Sequence, residues 1–141
     1  MTELYDYIKI IPNALDQKFC GEIIRNQEYR YEQAVLLGLD SVEYKDDRIR
    51  NCQQTSLSKE DDAVVFGAVG KVTHEYMTGF RYVIDSEQIT DTGYNLLKYK
   101  TGGFYGQHID DHRGVIRRIS MSLLLNEDYD GGEFRFFGDY K

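Results

Sequence analysis

The sequence is poor in several residue types that mark particular classes of protein. Its 141 residues include 2 cysteines, 1 proline and no tryptophan. Two cysteines are too few for the disulfide framework of a small secreted domain. A single proline beside 41% hydrophobic residues argues against a disordered or fibrous chain. We therefore expect residues 1 to 141 to fold as a single globular domain.

Positive charge is also scarce. The chain has 17 lysines and arginines against 24 aspartates and glutamates, for a formal net charge of -7. Such a chain repels phosphate backbones and anionic lipid head groups. It has no apolar run near the roughly 20 residues that cross a bilayer, and its N-terminus lacks the pattern of a signal peptide. We expect neither nucleic acid nor membrane as a partner, and a cytoplasmic location.

The first half of the chain predicts one strand and two amphipathic helices. Residues 4 to 11, which precede a proline, alternate in the manner of a strand. Asp16 is placed to cap a first helix. Ser58 and Asp61 resemble a capping box, after which apolar residues recur at helical spacing to about Gly79.

The composition changes at residue 93, and 8 of the 13 glycines lie from this position onward. Between these glycines are short aromatic and β-branched runs, typical of strands joined by tight turns. We predict strands at 94 to 100, 104 to 110, 118 to 125 and 133 to 137. The fold class predicted is α+β, mainly β, in which helices within residues 1 to 92 support a sheet core in residues 93 to 141. Residues 29 to 58, which show no clear period, are assigned to strands or loops.

The most distinctive chemical motif is GGFYGQHIDDH, residues 102 to 112. Alternate side chains of a strand share a face, so we expect His108 and Asp110 to point the same way, with Cα atoms roughly 6.5 Å apart. An imidazole nitrogen and a carboxylate oxygen suit a divalent first-row metal, and with a second histidine they form the facial triad of non-haem Fe(II). A bare His-x-Asp arises by chance roughly 0.3 times in such a composition. The flanking residues must therefore distinguish a metal site from a polar strand end.

Those flanking residues resemble the prolyl 4-hydroxylase-like family of Fe(II)/2-oxoglutarate dioxygenases, including its bacterial and phage members. The similar stretches are LLKYKTGGFYGQHIDDH and RRISMSLLLNEDYDGGEFRFF, and IIPNALDQKFCGEII is similar to the strand, turn and cysteine-bearing helix of the family. The likeness covers most of the chain, and residues 29 to 90 are its least distinctive part. In chain order the matching positions are Tyr99, Gly102, Gly103, Tyr105, His108, Asp110, an arginine at 117 or 118, Leu125, Asn126, Gly131, Gly132 and Glu133.

The resemblance implies a fold and a chemistry. The family fold is a double-stranded β-helix, or jelly roll, braced by helices. By position, His108 and Asp110 would be catalytic residues and metal ligands, while Tyr99 and, as a weaker candidate, Tyr105 would bind 2-oxoglutarate. The family uses iron, 2-oxoglutarate and O2, with ascorbate as reductant, to hydroxylate a C–H bond as 2-oxoglutarate is decarboxylated. The expected substrate is a protein, a peptide or a small molecule.

The chain departs from the family pattern after its HxD motif. The family's third metal ligand is a downstream histidine, followed by a base for the distal carboxylate of 2-oxoglutarate, whereas no histidine follows His112 in this sequence. His112 lies about 13 Å along the strand from His108, and His74 lies in the second helix, so neither is a good substitute. We therefore expect an incomplete jelly roll and poor turnover by this chain alone.

Three explanations of that departure remain open. The chain is a fragment of a longer reading frame, or a partner subunit completes the sheet, or the fold is kept without catalysis. The second would give a homo-oligomer through exposed sheet edges. The third gives an alternative function, a truncated or non-catalytic jelly-roll module for binding or assembly. A cupin also uses closely spaced histidines and acids, but His-x-Asp followed by Gly-Gly-Glu suits the hydroxylases better.

Overall fold

The computed structural model describes residues 3 to 38, 40, 42 to 78, 90 to 110 and 117 to 136. Over these residues the protein is a mixed α/β structure with two α-helices and three small antiparallel sheets. The chain divides into two compact units. We call them the helical unit, Met1–Asn26 with Ser58–Tyr94, and the strand unit, Gln27–Leu57 with Asn95–Lys141.

The first helix of the helical unit, α1, spans Gln17–Arg25 and begins where the sequence predicts. The carboxylate of Asp16 accepts hydrogen bonds from the backbone amides of Lys18 and Phe19, at 2.9 and 3.1 Å. These bonds satisfy two of the four amides that the first turn of a helix leaves without partners. The prediction of Asp16 as the N-cap is confirmed.

The second helix, α2, spans Lys59–Thr78 and also follows its predicted cap. The hydroxyl of Ser58 accepts a hydrogen bond from the amide of Asp61 at 3.1 Å, and the carbonyl of Ser58 accepts one from Asp62 at 2.9 Å. The first turn is acidic, which favours the positive end of the helix dipole. This helix is confirmed to within a residue or two at each end.

The predicted strand at residues 4 to 11 is wrong. Leu4–Tyr7 forms a single turn of 3-10 helix instead. The backbone amide of Glu3 donates to the carboxylate of Asp6 at 2.8 Å, and the amide of Asp6 donates to the carbonyl of Glu3 at 3.0 Å. These hydrogen bonds between residues three apart close a turn, and they outweigh the β-propensity of the apolar residues that follow.

The strand unit contains all of the strands that the structure describes. They are β1 (Glu32–Gln33), β2 (Leu36–Leu37), β3 (Glu43–Tyr44), β4 (Arg50–Asn51), β5 (Gln53–Ser56), β6 (Asn95–Lys98) and β7 (Phe104–Tyr105). One sheet has the order β1-β5-β6, and the other two are the pairs β2-β3 and β4-β7. Every pairing is antiparallel.

The register of these strands separates two sets of side chains. Directly paired residues lie on the same face of a sheet, and successive residues alternate between faces. Gln53 pairs with both Gln33 and Lys98, and Arg50 pairs with Tyr105. The polar side chains of the unit therefore lie on two opposite faces. We call one set, Arg50, Cys52, Tyr99 and Tyr105, the tyrosine face. The other, Gln33, Asn51, Gln53, Lys98 and Lys100, is the lysine face.

The predicted strands of the second half are only partly present. The strand at 94 to 100 is confirmed as β6, and of the strand at 104 to 110 only Phe104–Tyr105 forms. Residues 118 to 125 form no strand, and within 133 to 136 Phe136 makes only an isolated bridge. A strand requires a partner for its amides and carbonyls, and no described segment pairs with residues 118 to 125. The jelly roll stays a prediction, as do the single domain and its division at residue 93.

None of the helices that the structure describes combines the length and the apolar character needed to cross a bilayer.

Candidate metal centre

The segment that carries the HxD motif follows β7 and turns away from the sheet one residue after the strand ends. The amide of Gly106 donates to the carbonyl of Ile49 at 2.7 Å, which extends the pairing with β4 by one hydrogen bond. Beyond it the chain turns, so His108 and Asp110 lie outside any strand. The predicted reason for their proximity, a shared strand face, is therefore wrong.

The two side chains nevertheless meet. Nε2 of His108 lies 3.2 Å from Oδ1 of Asp110. Ligand atoms that sit about 2.1 Å from one metal ion at right angles to each other are roughly 3 Å apart. The observed separation is thus the one that two neighbouring ligands of a single ion would have.

The other nitrogen of the imidazole determines what Nε2 presents to Asp110. Nδ1 of His108 lies 2.8 Å from the carbonyl oxygen of Gly106. A carbonyl only accepts hydrogen bonds, so Nδ1 is the donor, and in the neutral ring Nε2 then carries a lone pair. That lone pair faces a carboxylate oxygen, and the contact is favourable only with a positive charge between them, either a proton on Nε2 or a bound cation.

The second oxygen of Asp110 is held separately. The hydroxyl of Ser120 donates a hydrogen bond to Oδ2, which leaves Oδ1 directed at His108. A partner of this kind, outside the ligand set, fixes the orientation of a metal-binding carboxylate. The side chains of His108 and Asp110 are 37% and 40% exposed, so an ion can reach them from solvent.

Tyr105 supports the imidazole from one side. Its ring stacks on the ring of His108, with the centroids 3.6 Å apart and the planes at 14°. The guanidinium of Arg50 also lies over the Tyr105 ring, 4.5 Å from the centroid. Burial raises the pKa of the Tyr105 phenol, the carboxylate of Asp110 adds to the rise, and Arg50 opposes it. The role of Tyr105 in binding 2-oxoglutarate stays a prediction, and its observed contact is with the ring of His108.

Tyr99 lies on the same tyrosine face. Its phenol lies close to the thiol of Cys52, which is almost fully buried. Burial is the main cause that raises the pKa of Tyr99 to about 12, and the interactions with Cys52 add to it. The phenol is therefore neutral across the physiological range and can donate a hydrogen bond. Its predicted contact with a co-substrate stays a prediction.

Arg50 brings a positive charge to the tyrosine face. Its Nη1 donates to the carbonyl of Val35 at 2.7 Å, while its buried Nε has no hydrogen-bond partner within the described part of the chain. No described carboxylate lies within ion-pair distance of the guanidinium. A half-buried cation in this condition is unsatisfied, and an anionic ligand would compensate it.

The described residues offer no third side chain to complete a metal site with His108 and Asp110. Within them no group of three or more histidine, cysteine, aspartate or glutamate side chains is arranged to hold a metal ion. His112, considered above, lies outside the described residues. His74 lies on α2, in the helical unit.

Sequence reasoning did not identify Arg50, Cys52 or Ser120 as part of this site. Arg50 and Cys52 lie in the segment without a clear period, and only the pairing of β4 with β7 brings Arg50 to Tyr105. Ser120 is 10 residues from Asp110 in the chain. A single sequence carries no signal for such contacts.

No protein-family model, curated protein or solved structure matches this chain. A function must therefore be inferred from the geometry and from the residues themselves.

Proposed function

We propose that this protein is an Fe(II)- and 2-oxoglutarate-dependent hydroxylase of the prolyl 4-hydroxylase type, built on a jelly roll. The observation that supports the proposal best is the pairing of His108 with Asp110. Nε2 and Oδ1 lie 3.2 Å apart, and the hydrogen bond from Nδ1 to Gly106 leaves the Nε2 lone pair directed at the carboxylate. The residues present fit two ligand positions of one divalent ion.

In this proposal each residue of the site has a distinct role. His108 and Asp110 would hold the iron, and Ser120 would keep the carboxylate in its binding orientation. Tyr105 would limit rotation of the imidazole by stacking on it. Iron, 2-oxoglutarate and O2 together would supply the oxidation of a substrate C–H bond.

The charge of Arg50, which has no ion-pair partner among the described residues, supports an anionic co-substrate at this centre. Adding the 4.5 Å from the guanidinium to the Tyr105 centroid and the 3.6 Å from there to the His108 centroid gives a separation of at most about 8 Å. A dicarboxylate that binds a metal at His108 through one end can reach a cation at that distance with the other. In this proposal Arg50 pairs with the distal carboxylate, and Tyr99 donates a hydrogen bond to the same ligand.

The same contact between His108 and Asp110 is also compatible with the alternative, a non-catalytic module. A proton on Nε2 would also satisfy the contact between His108 and Asp110, as an exposed ion pair that contributes about 0 to 1 kcal/mol. In that case the motif binds no metal, and Ser120 and Tyr105 merely order a surface loop. The two functions differ in whether metal and 2-oxoglutarate are used.

The test is turnover of 2-oxoglutarate by the full-length gene product with Fe(II) and ascorbate. We expect succinate and CO2 to form, and His108→Ala to remove this activity because one of the two proposed metal ligands is lost. His74→Ala, a matched change on α2, should retain it. Activity that survives His108→Ala unchanged would refute the proposed site.

A further inference from the structure

A second cluster of polar side chains occupies the lysine face of the strand unit. The ladder places Gln33, Gln53 and Lys98 in one row across β1, β5 and β6. Asn51 lies two residues before Gln53, and Lys100 lies two residues after Lys98, so the alternation of the strands directs both to the same face. Both lysines thus converge on one row of amide side chains.

These side chains line a cleft of about 140 Å³. Its lining consists of Gln33, Asn51, Cys52, Gln53, Lys98 and Lys100, without a carboxylate. That composition is unusual in a chain with 24 acidic and 17 basic residues. Within the described residues neither lysine forms an ion pair with a carboxylate. The lining therefore carries two positive charges and no negative one, and an anion would compensate them.

Lys98 has a further contact that restricts it. Its ammonium lies 5.3 Å from the centroid of the Tyr31 ring, as a cation over an aromatic face. The amide of Gln33 is also engaged, since it donates to the carbonyl of Arg50 at 2.9 Å. Two of the six lining side chains, Lys98 and Gln33, are therefore already held by other contacts, which lowers the entropy cost of ordering them around a ligand.

We propose that this cleft binds a phosphate group. Pockets for drug-sized ligands enclose about 300 to 1,000 Å³, so a cleft of about 140 Å³ holds one small group. Arginine is the better residue for planar, bidentate recognition of a carboxylate, whereas lysine acts as a point charge suited to phosphate. Two ammonium groups balance the charge of about -1.5 to -2 that a phosphate group carries near pH 7.

The phosphate cleft is distinct from the metal centre. Lys98 and Lys100 alternate with Tyr99, which lies on the tyrosine face beside Cys52, a residue that also borders the cleft. Arg50 and Tyr105 lie on that face as well, whereas Asn51 and Gln53 line the cleft. A ligand in the cleft would therefore leave His108 and Asp110 free.

The test is a titration of the full chain with inorganic phosphate at constant ionic strength, followed through backbone amide resonances. We expect saturating shifts at Asn51, Gln53, Lys98 and Lys100, with a dissociation constant on the order of 1 mM because the site is open to solvent. The double change Lys98→Gln with Lys100→Gln should weaken binding at least tenfold. The control, Lys59→Gln with Lys71→Gln on α2, alters the net charge equally and should bind as the wild type does.

Shifts that never saturate, or equal binding by both double variants, would overturn the proposal and leave only a general effect of charge. A spectrum of the cleft variant that is unchanged away from β5 and β6 shows that it is folded. Glycerol 3-phosphate as a second probe separates two sources of the group. Binding at least as tight as that of inorganic phosphate assigns the cleft to phosphate monoesters, and weaker binding assigns it to free phosphate.

Discussion

At the scale of single residues, the two nitrogens of His108 carry the chemistry of the candidate metal centre. One donates to a backbone carbonyl, and the other faces the carboxylate of Asp110. The sequence predicted this pair from the HxD motif and its flanking residues. It did not predict Ser120 or Arg50, because a hydrogen bond to a distant hydroxyl and a cation over an aromatic ring both depend on the path of the chain.

Arg50 provides a first prediction at this scale. Arg50→Gln keeps a polar side chain of similar length and removes the charge. We expect the Mn(II)-loaded variant to bind 2-oxoglutarate at least about tenfold more weakly, because a hydrogen bond to a charged group is lost. Binding of 2-oxopentanoate, which has no distal carboxylate, should change little. Calorimetric titration measures both.

The matched control for Arg50 is Arg30→Gln, a change at an exposed arginine of the same unit. Equal affinity of the wild type and Arg50→Gln for 2-oxoglutarate would remove Arg50 from the site. Retention of Mn(II) by Arg50→Gln in the same titration would show that the metal ligands are intact, so the two parts of the proposal can be judged separately.

Tyr99 gives a prediction about pH. Its pKa of about 12 lies above the ordinary value of 10, so the protonated phenol favours the folded state. This stabilisation is complete below pH 10 and is lost as the pH rises from 10 to 12. Tyr99 is 47% exposed, so the effect should be modest. The difference in tyrosinate absorbance between the wild type and Tyr99→Phe should show one group titrating near pH 12, and titration near pH 10 would contradict it.

At the scale of elements, local hydrogen bonds explain which predictions succeeded. Both helices begin at capping residues, Asp16 and Ser58, that lie within three residues of the amides they satisfy. Helix starts can therefore be predicted from a short window of sequence. Residues 118 to 125 have a strand-like composition but form no strand in the structure. Strand formation depends on a distant partner, and composition alone cannot supply one.

The approach of β4 to the turn before β7 depends on Gly103. A Cβ at this position would come within 2.9 Å of the carbonyl oxygens of Asn51 and Lys100, which are backbone atoms and cannot move aside cheaply. We expect Gly103→Ala to lower the free energy of unfolding by about 1 to 3 kcal/mol. It should also weaken metal binding, because β7 leads directly into His108.

The control for Gly103 is Gly70→Ala on α2, where an added Cβ meets nothing within 4 Å. Because alanine favours a helix interior over glycine, this change should raise the free energy of unfolding by up to about 1 kcal/mol. Urea denaturation measures both variants. Equal effects of the two substitutions would contradict the close approach at Gly103.

At the scale of the whole molecule, the net charge of -7 affects the two proposed sites in opposite ways. A negative protein attracts divalent cations and repels dianions. The carboxylate of Asp110 is therefore favoured as a cation ligand, whereas any anionic ligand needs local positive charge from Arg50 or from the two lysines of the cleft. The exclusion of nucleic acid, the cytoplasmic location and the homo-oligomer formed through sheet edges stay predictions.

Coordination of one divalent cation by His108 and Asp110 can be measured directly with Mn(II). Electron spin echo spectroscopy of the Mn(II)-loaded chain should detect coupling to the nitrogen of a histidine at a stoichiometry of one ion per chain. The coupling should disappear in His108→Ala, the affinity should fall in Asp110→Ala, and both should persist in His74→Ala. Mn(II) that binds without nitrogen coupling, or with the same coupling after His108→Ala, would show that these two side chains do not form a metal site.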